Sequence, residues 1–362
     1  MVVLRTLDSI SDLERVTDLE IAVWGVNPRD AVPASLLHAS VLNGGVVIGA
    51  FDGERMVGMA YAFPAQRGRK WILWSHTTGV RRDYQGQGIG FALKQTQRRW
   101  ALEHDYSYIA WTFDPLQRGN AHFNLHLLGA TASIYHVDFY GEMADGINIG
   151  LPSDRLEVRW ELCSDRVAAL ADGTTTPIAE NYPDDQFLLK VGDNSQPVRH
   201  ECDSNRPLHF VEIPSDLGQL KRRDLALAHE WRTTLRDILQ DAFARGYTLV
   251  DFVPVQGRCW YVVVPVAPWF LYVLECSDQS LYTGITTDMR RRLAQHNAGR
   301  GAAYTSTRRP VKMVAAWRFY DRSQALQAEA SFKRQSRAKK LQFLHARASF
   351  RGAKFVDCDA VT

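Results

Sequence analysis

The chain has 362 residues, 46% of them hydrophobic and 23% charged, which suits a globular protein with two or three ordinary cores and excludes a disordered or collagen-like chain. No uninterrupted apolar run approaches the ~20 residues of a membrane helix, and the N-terminal stretch lacks a small-residue cleavage site, so a cytoplasmic protein with no membrane partner is expected. The net charge of +3 conceals an asymmetry: residues 268–362 carry +10 and the first 267 carry −7, which makes the basic end the candidate polyanion binder. Five scattered cysteines, at 163, 202, 259, 276 and 358, contain no Cys-x-x-Cys pair and read as free thiols, not as a disulfide frame or zinc site.

In chain order, a helix is predicted over residues 11–24, followed by apolar strands 45–51 and 55–63 joined at the hairpin signal Asp52-Gly53. A third strand, 71–80, runs into Gln85-Gly86-Gln87-Gly88-Ile89-Gly90 and a helix over 91–103. Glycines in such a turn let the backbone approach a ligand, and free amides at a helix start attract an anion, so a pyrophosphate is the natural guest. A plain tight loop carries the same signal. Strand 108–113 and helix 120–128 follow.

The loop has the Gln/Arg-x-x-Gly-x-Gly/Ala form, is preceded by a strand ending in Val80, and resembles the GNAT acetyltransferase superfamily. Strand 108–113 and helix 120–128 fall where that fold has its fifth strand and following helix. Residues 111–116, Asn120-Ala121, Asn124, Tyr140-Gly141 and 151–155 are similar to one bacterial branch of it. The resemblance runs to about Val264. It implies a mixed sheet flanked by helices, acetyl-CoA as cofactor held by Val80, Gln85, Gly86, Gln87, Gly88, Ile89 and Gly90, and transfer to an amine acceptor of unknown identity. The tyrosine acid of many such enzymes falls here on Leu125; Tyr135 or Tyr140 as acid and His76 as base are the candidate replacements. A non-catalytic recognition domain is the alternative.

Residues 166–205, rich in Asp, Asn, Thr and Pro, read as loop. A strand at 208–213, a cap at 214–216, a helix over 225–244 and strands at 249–253 and 260–264 then extend the same α/β pattern. Arg232 and Arg236 share a helix face, which suits either an acidic ligand or a salt-bridged surface. The expected domains are a GNAT-like acyl-CoA-binding region (1–165), its α/β extension (166–265), a C-terminal domain (268–348) and a weakly ordered tail (349–362).

Residues 271–296 read strand, turn, strand, helix. In-register pairing brings Tyr272 and Tyr282 towards Arg292 and His296, which are four apart on one helix face. Two phenols, a guanidinium and an imidazole can hold a phosphodiester. Tyr272, Tyr282-Thr283-Gly284, Arg292, His296 and the downstream Glu329 stand in the order of the GIY-YIG nuclease motifs, and Gln-His-Asn-Ala-Gly (295–299) and Arg-Arg-Pro (308–310) are similar to its small bacterial members. The first motif departs from the family, reading Phe270-Leu271-Tyr272. The resemblance implies a three-stranded antiparallel sheet with helices and cleavage of DNA with one divalent metal, Mg²⁺ or Mn²⁺, on Glu329. It also implies that Arg292 stabilises the transition state, His296 or Tyr282 acts as base, and Tyr272 positions the phosphate or water. Lys333, Arg334, Arg337, Lys339 and Lys340 are expected as one basic helix suited to phosphate contacts. The whole is expected to be an α/β (α+β) protein combining an endonuclease with an N-acyltransferase. The alternative is an acyltransferase whose C-terminal module only binds nucleic acid.

Overall fold

A computed structural model describes residues 2–68, 70–141, 150–175, 182–202, 206, 208–319, 322–350 and 353–356. The chain divides into two units, Met1–Pro265 and Val266–Thr362.

The first unit begins with β1 (Val2–Thr6), α1 (Ile10–Trp24), α2 (Ala34–Leu42), β2 (Val46–Asp52), β3 (Arg55–Arg67) and β4 (Lys70–Val80). The Ser9 hydroxyl accepts the Asp12 N–H to start α1, and Gly25, at φ 65°, ends it by returning its N–H to Ile21 O. Leu13, Val16 and Leu19 form the buried stripe of α1 and pack on Val47, Met59 and Tyr61. The alternate residues Ile48, Ala50, Val57 and Ala60 face a larger core on the other side of the sheet, shared with Leu93. Each of the larger side chains there, Ile48, Val57 and Leu93, contributes roughly 1.5–3 kcal/mol on burial.

Leu93 belongs to α3 (Ile89–Glu103), which leads to β5 (Tyr108–Phe113) and α4 (Arg118–Ala121). The helix expected over 120–128 is α-helical only to Ala121 and continues as a wider π turn over His122–Leu127. Next come β6 (Thr131–His136), β7 (Arg155–Glu161) and α5 (Asp165–Ala171). β4 and β5 run parallel and pair only at Leu73–Ile109 and Trp74–Ala110. From Ser75 onwards they part.

The extension does continue the sheet. It contains β8 (Phe187–Val191), β9 (Pro197–Arg199), β10 (His209–Glu212), α6 (Leu217–Arg223), α7 (Leu225–Ala244), β11 (Tyr247–Val255) and β12 (Arg258–Pro265). Among the described residues the strand order is β1-β2-β3-β4-β5-β7-β6-β11-β12-β10-β8-β9. The loop expected over 166–205 is therefore corrected: it holds a helix and two short strands, because Phe187 and Leu189 are buried by pairing with β10. Residues 176–181 and 203–205 of that stretch lie outside the described residues. Arg232 and Arg236 have the salt-bridged role, pairing with Asp114 (2.6 and 2.9 Å) and Asp154 (2.8 and 2.9 Å).

The second unit contains β13 (Trp269–Glu275), β14 (Leu281–Thr286), α8 (Met289–Asn297), α9 (Ala303–Ser306), β15 (Lys312–Phe319), α10 (Arg322–Lys333), α11 (Arg337–His345) and β16 (Lys354–Val356). Its antiparallel sheet has the order β14-β13-β15-β16. The expected three strands are thus joined by a fourth drawn from the presumed tail, where Phe355 pairs with Trp317. On one face Leu271, Val273, Trp317 and Phe319 pack against Ala325, Ala328 and Phe332 of α10, the alanines letting the helix come close. On the other, Tyr272, Leu274 and Met313 pack against Met289 and Leu293 of α8. The basic run is split between two helices, with Lys333 ending α10 and Ser336 capping α11. Among the described residues no helix is long and apolar enough to cross a membrane.

Candidate active site

In the second unit Asp288 caps α8 by accepting the Arg291 N–H at 3.0 Å, which turns Arg292 and His296 over the sheet. Strand alternation points Tyr272 at the same face, opposite Gly284 on β14. A Cβ at Gly284 would lie 2.6 Å from Tyr272 Oη, so only glycine leaves room for the phenol. Tyr272 is 0% exposed, and its Oη lies 3.0 Å from His296 Nε2 and accepts from Arg292 Nε at 3.1 Å. His296, also 0% exposed, has Nδ1 2.7 Å from Thr305 Oγ1, and that hydroxyl donates to Ala302 O. One proton assignment satisfies all of these contacts: Nδ1–H donates to Thr305, and the Nε2 lone pair accepts the Tyr272 hydroxyl.

The electrostatics agree with this pattern. Burial, with the Arg292 charge second, lowers the His296 imidazole to about 4, so it is neutral near pH 7. Burial pushes the Tyr272 phenol up to about 12, against the opposing effect of Arg292. Hydrogen bonding, first to Tyr272 and also to Tyr282, raises Arg292 further. The Tyr282 ring lies 6.4 Å from that of Tyr272 and 5.1 Å from that of His296. Arg292 and Tyr282 are only half-buried, so these two face outward from an enclosed support.

Glu329 does not join the hydrogen-bonded set. It sits on α10, whose core side covers the opposite face of the sheet, although α10 also packs along the edge strand β14. Its carboxylate is 15% exposed, pairs with Lys333 at 2.7 Å, and acts on Tyr272 through its charge, helping to raise that phenol. Among the described residues no three His, Cys, Asp or Glu side chains gather around a metal-sized space. A lone carboxylate with water in the remaining positions is a donor set that Mg²⁺ accepts, so Glu329 fits once Lys333 yields its oxygen.

In the first unit Gln85 Nε2 donates to Val80 O at 3.0 Å and closes the glycine-rich loop on the end of β4. Gly86 and Gly88 both have φ 77°, and a Cβ at either would meet nothing within 4 Å. The buried Ile89 anchors the start of α3, whose first turn has no side-chain cap. Amides at the start of α3 thus have no side-chain cap, an arrangement that suits an anion cradle. Of the candidate replacements for the acid at Leu125, Tyr135 donates its hydroxyl to Asp154 at 2.7 Å, and its burial pushes that phenol up. Tyr140 is exposed, 3.3 Å from Thr112 Oγ1. His76 and Thr112 line a cavity of about 280 Å³ in the gap between β4 and β5.

Residues 268–342 match the model for the GIY-YIG catalytic domain, and residues 13–129 match that for the acetyltransferase (GNAT) family. A UPF0213 protein of Streptococcus pneumoniae is 56% identical over 75 residues, which is 21% of this chain and 76% of that protein. The chain belongs to the GIY-YIG family. Other UPF0213 relatives of the GIY-YIG unit are found in Cupriavidus pinatubonensis (52% over 75 residues; 21% of this chain, 83% of that protein) and Listeria innocua (54% over 78; 22% and 87%). Among solved structures, the ribosomal-protein-S18-alanine N-acetyltransferase of Escherichia coli is 12% identical, covering 45% of this chain and 96% of its own at TM-score 0.37. An N-acetyltransferase of Staphylococcus aureus gives 15%, 45%, 99% and 0.36.

Thr305, which fixes the His296 tautomer in the GIY-YIG unit, was not foreseen. Neither was Gly301, where a side chain would occupy the place of the imidazole. A threonine in a four-residue helical turn carries no periodic signal, and only its complete burial marks it.

Proposed function

We propose that the GIY-YIG unit hydrolyses DNA phosphodiesters with one divalent cation and that the GNAT unit binds acetyl-CoA and acylates an amine. The observation that carries the first half is the fixed guanidinium: Arg292 is half-exposed yet held by the buried Tyr272, itself bonded to His296, and by Gln295, a preorganised cation where transition-state charge would develop. Arg292 binds the non-bridging oxygens. Tyr282, which faces outward beside Arg292, is the group placed to take the proton of the attacking water as the water oxygen bonds to phosphorus and the bridging ester oxygen leaves. Tyr272 and His296 are enclosed, which favours positioning roles for both. Glu329 would hold Mg²⁺ or Mn²⁺, which when bound supplies charge stabilisation for the leaving oxygen. The exposed Arg334, Arg337 and Lys339 supply contacts to the phosphate backbone without reading sequence.

A nicking assay with Mg²⁺ on single-stranded, duplex and branched DNA tests this. Arg292→Ala and Glu329→Ala should each lose at least about a hundredfold in rate. Cleavage by the double variant equal to wild type overturns the proposal. The Glu329–Lys333 pair favours a second reading, in which the unit binds DNA without cutting it. DNA binding with no cleavage in Mg²⁺ or Mn²⁺ would select it. For the GNAT unit, calorimetry should show acetyl-CoA binding that Gly88→Asp abolishes, because a carboxylate there repels the pyrophosphate. Leu125, fully buried where the tyrosine acid of many relatives would stand, favours a recognition role should CoA bind without turnover.

A further inference from the structure

Lys94 lies in α3, one turn beyond the glycine-rich loop, and is 2% exposed. It lines the gap between β4 and β5 together with Gly90, Ser75, Thr77, Trp111 and Asn124. Its Nζ donates to Ser75 Oγ at 3.0 Å and to Gln97 Oε1 at 2.7 Å, and it stands 3.8 Å over the Trp111 ring. Every one of these partners is neutral. Among the described residues no carboxylate pairs with it, and burial alone holds the amine well below its usual range. At a core position next to Leu93, an aliphatic side chain would cost far less than a desolvated cation. The indole face offsets part of that penalty and favours the charged form.

We propose that the cavity takes a short acyl thioester ending in a carboxylate, of the succinyl-CoA class, and that Lys94 pairs with that carboxylate. This rests on the acyl-CoA reading of the first unit. The cavity shares Gly90 and Val80 with the anion cradle, so a chain continuing from a bound pyrophosphate is what enters it. The incoming carboxylate supplies the counter-charge that burial withholds, so Lys94 binds it in the protonated form and donates its third N–H to it, while the hydroxyls of Ser75 and Thr77 stand beside it as further donors. An acetyl group would leave that ammonium facing no counter-charge.

Calorimetry of the full chain with CoA, acetyl-CoA and succinyl-CoA separates the cases. Succinyl-CoA should bind at least about tenfold more tightly than acetyl-CoA, the increment of one charge-assisted hydrogen bond. Lys94→Met and Lys94→Gln should both bring succinyl-CoA down to the acetyl-CoA level, the glutamine keeping hydrogen bonds without charge. Equal wild-type affinity for the two thioesters, or a preference that survives in Lys94→Gln, overturns the proposal. If CoA and both thioesters fail to bind, it is the acyl-CoA reading that falls.

Discussion

Acid should loosen the GIY-YIG unit through His296. The imidazole is 0% exposed, receives the Tyr272 hydroxyl, and is held at about 4 against an ordinary 6.5. The folded value lies below the unfolded one, so between them the unfolded chain binds the extra proton. Stability is complete above pH 6.5 and is lost as pH falls towards 4. With the two values about 2.5 apart, the loss is about 2 kcal/mol by pH 5 and about 3 kcal/mol by pH 4. Two measurements check this on the full chain. The His296 ring resonances should not titrate until near pH 4. The free energy of opening for backbone amides in residues 268–345, from hydrogen exchange, should fall with that slope. Carboxylates add their own acid dependence, so His296→Gln is the control, and its slope should be flatter by the same amount. Titration of His296 near pH 6.5 in the folded chain, or an unchanged slope in His296→Gln, refutes the argument.

Gly284→Ala places a methyl 2.6 Å from Tyr272 Oη and should cost about 1–3 kcal/mol, read from the urea midpoint of the unit, with DNA nicking reduced in parallel. Tyr272→Phe leaves His296 Nε2 unpaired and removes the buried partner of Arg292 Nε. It should cost about 1–3 kcal/mol and lower kcat more than it changes KM, whereas a purely structural role would show the stability loss alone. In the first unit Asp114→Ala strands the 1%-exposed Arg232 and should cost about 3–5 kcal/mol, while the paired change Asp114→Leu with Arg232→Met should recover most of it. Equal unfolding midpoints for the single and paired variants would contradict that account.

The parts legible in the sequence were those whose geometry is local. α7 spans the expected 225–244 with Trp231, Leu235 and Leu239 buried together, although Asp224 caps it and the cap expected at 214–216 starts the short α6 instead. The 166–205 stretch misled because Phe187 and Leu189 alternate over only five residues in an acidic, proline-containing context. Their burial comes from pairing with β10, more than twenty positions later. The basic run misled in a smaller way: a charge pattern shows no break where Gln335 and Ser336 interrupt the helix.

The same distinction divides the candidate site. Tyr272, Gly284, Arg292 and His296 meet because a hairpin register and a four-residue helical step, both fixed over twenty-five positions, leave no other arrangement. Glu329 arrives from a different element, and its placement depends on how Ala325 and Ala328 seat α10 against the sheet. That packing leaves the carboxylate tied to Lys333 and felt at Tyr272 only through its charge. The guanidinium is therefore already fixed by its neighbours, whereas the carboxylate, to hold the proposed divalent ion, would have to exchange one cation for another. An exposed lysine contact is worth ~1 kcal/mol or less, so a divalent ion has little to displace, and bound phosphate would add to its hold.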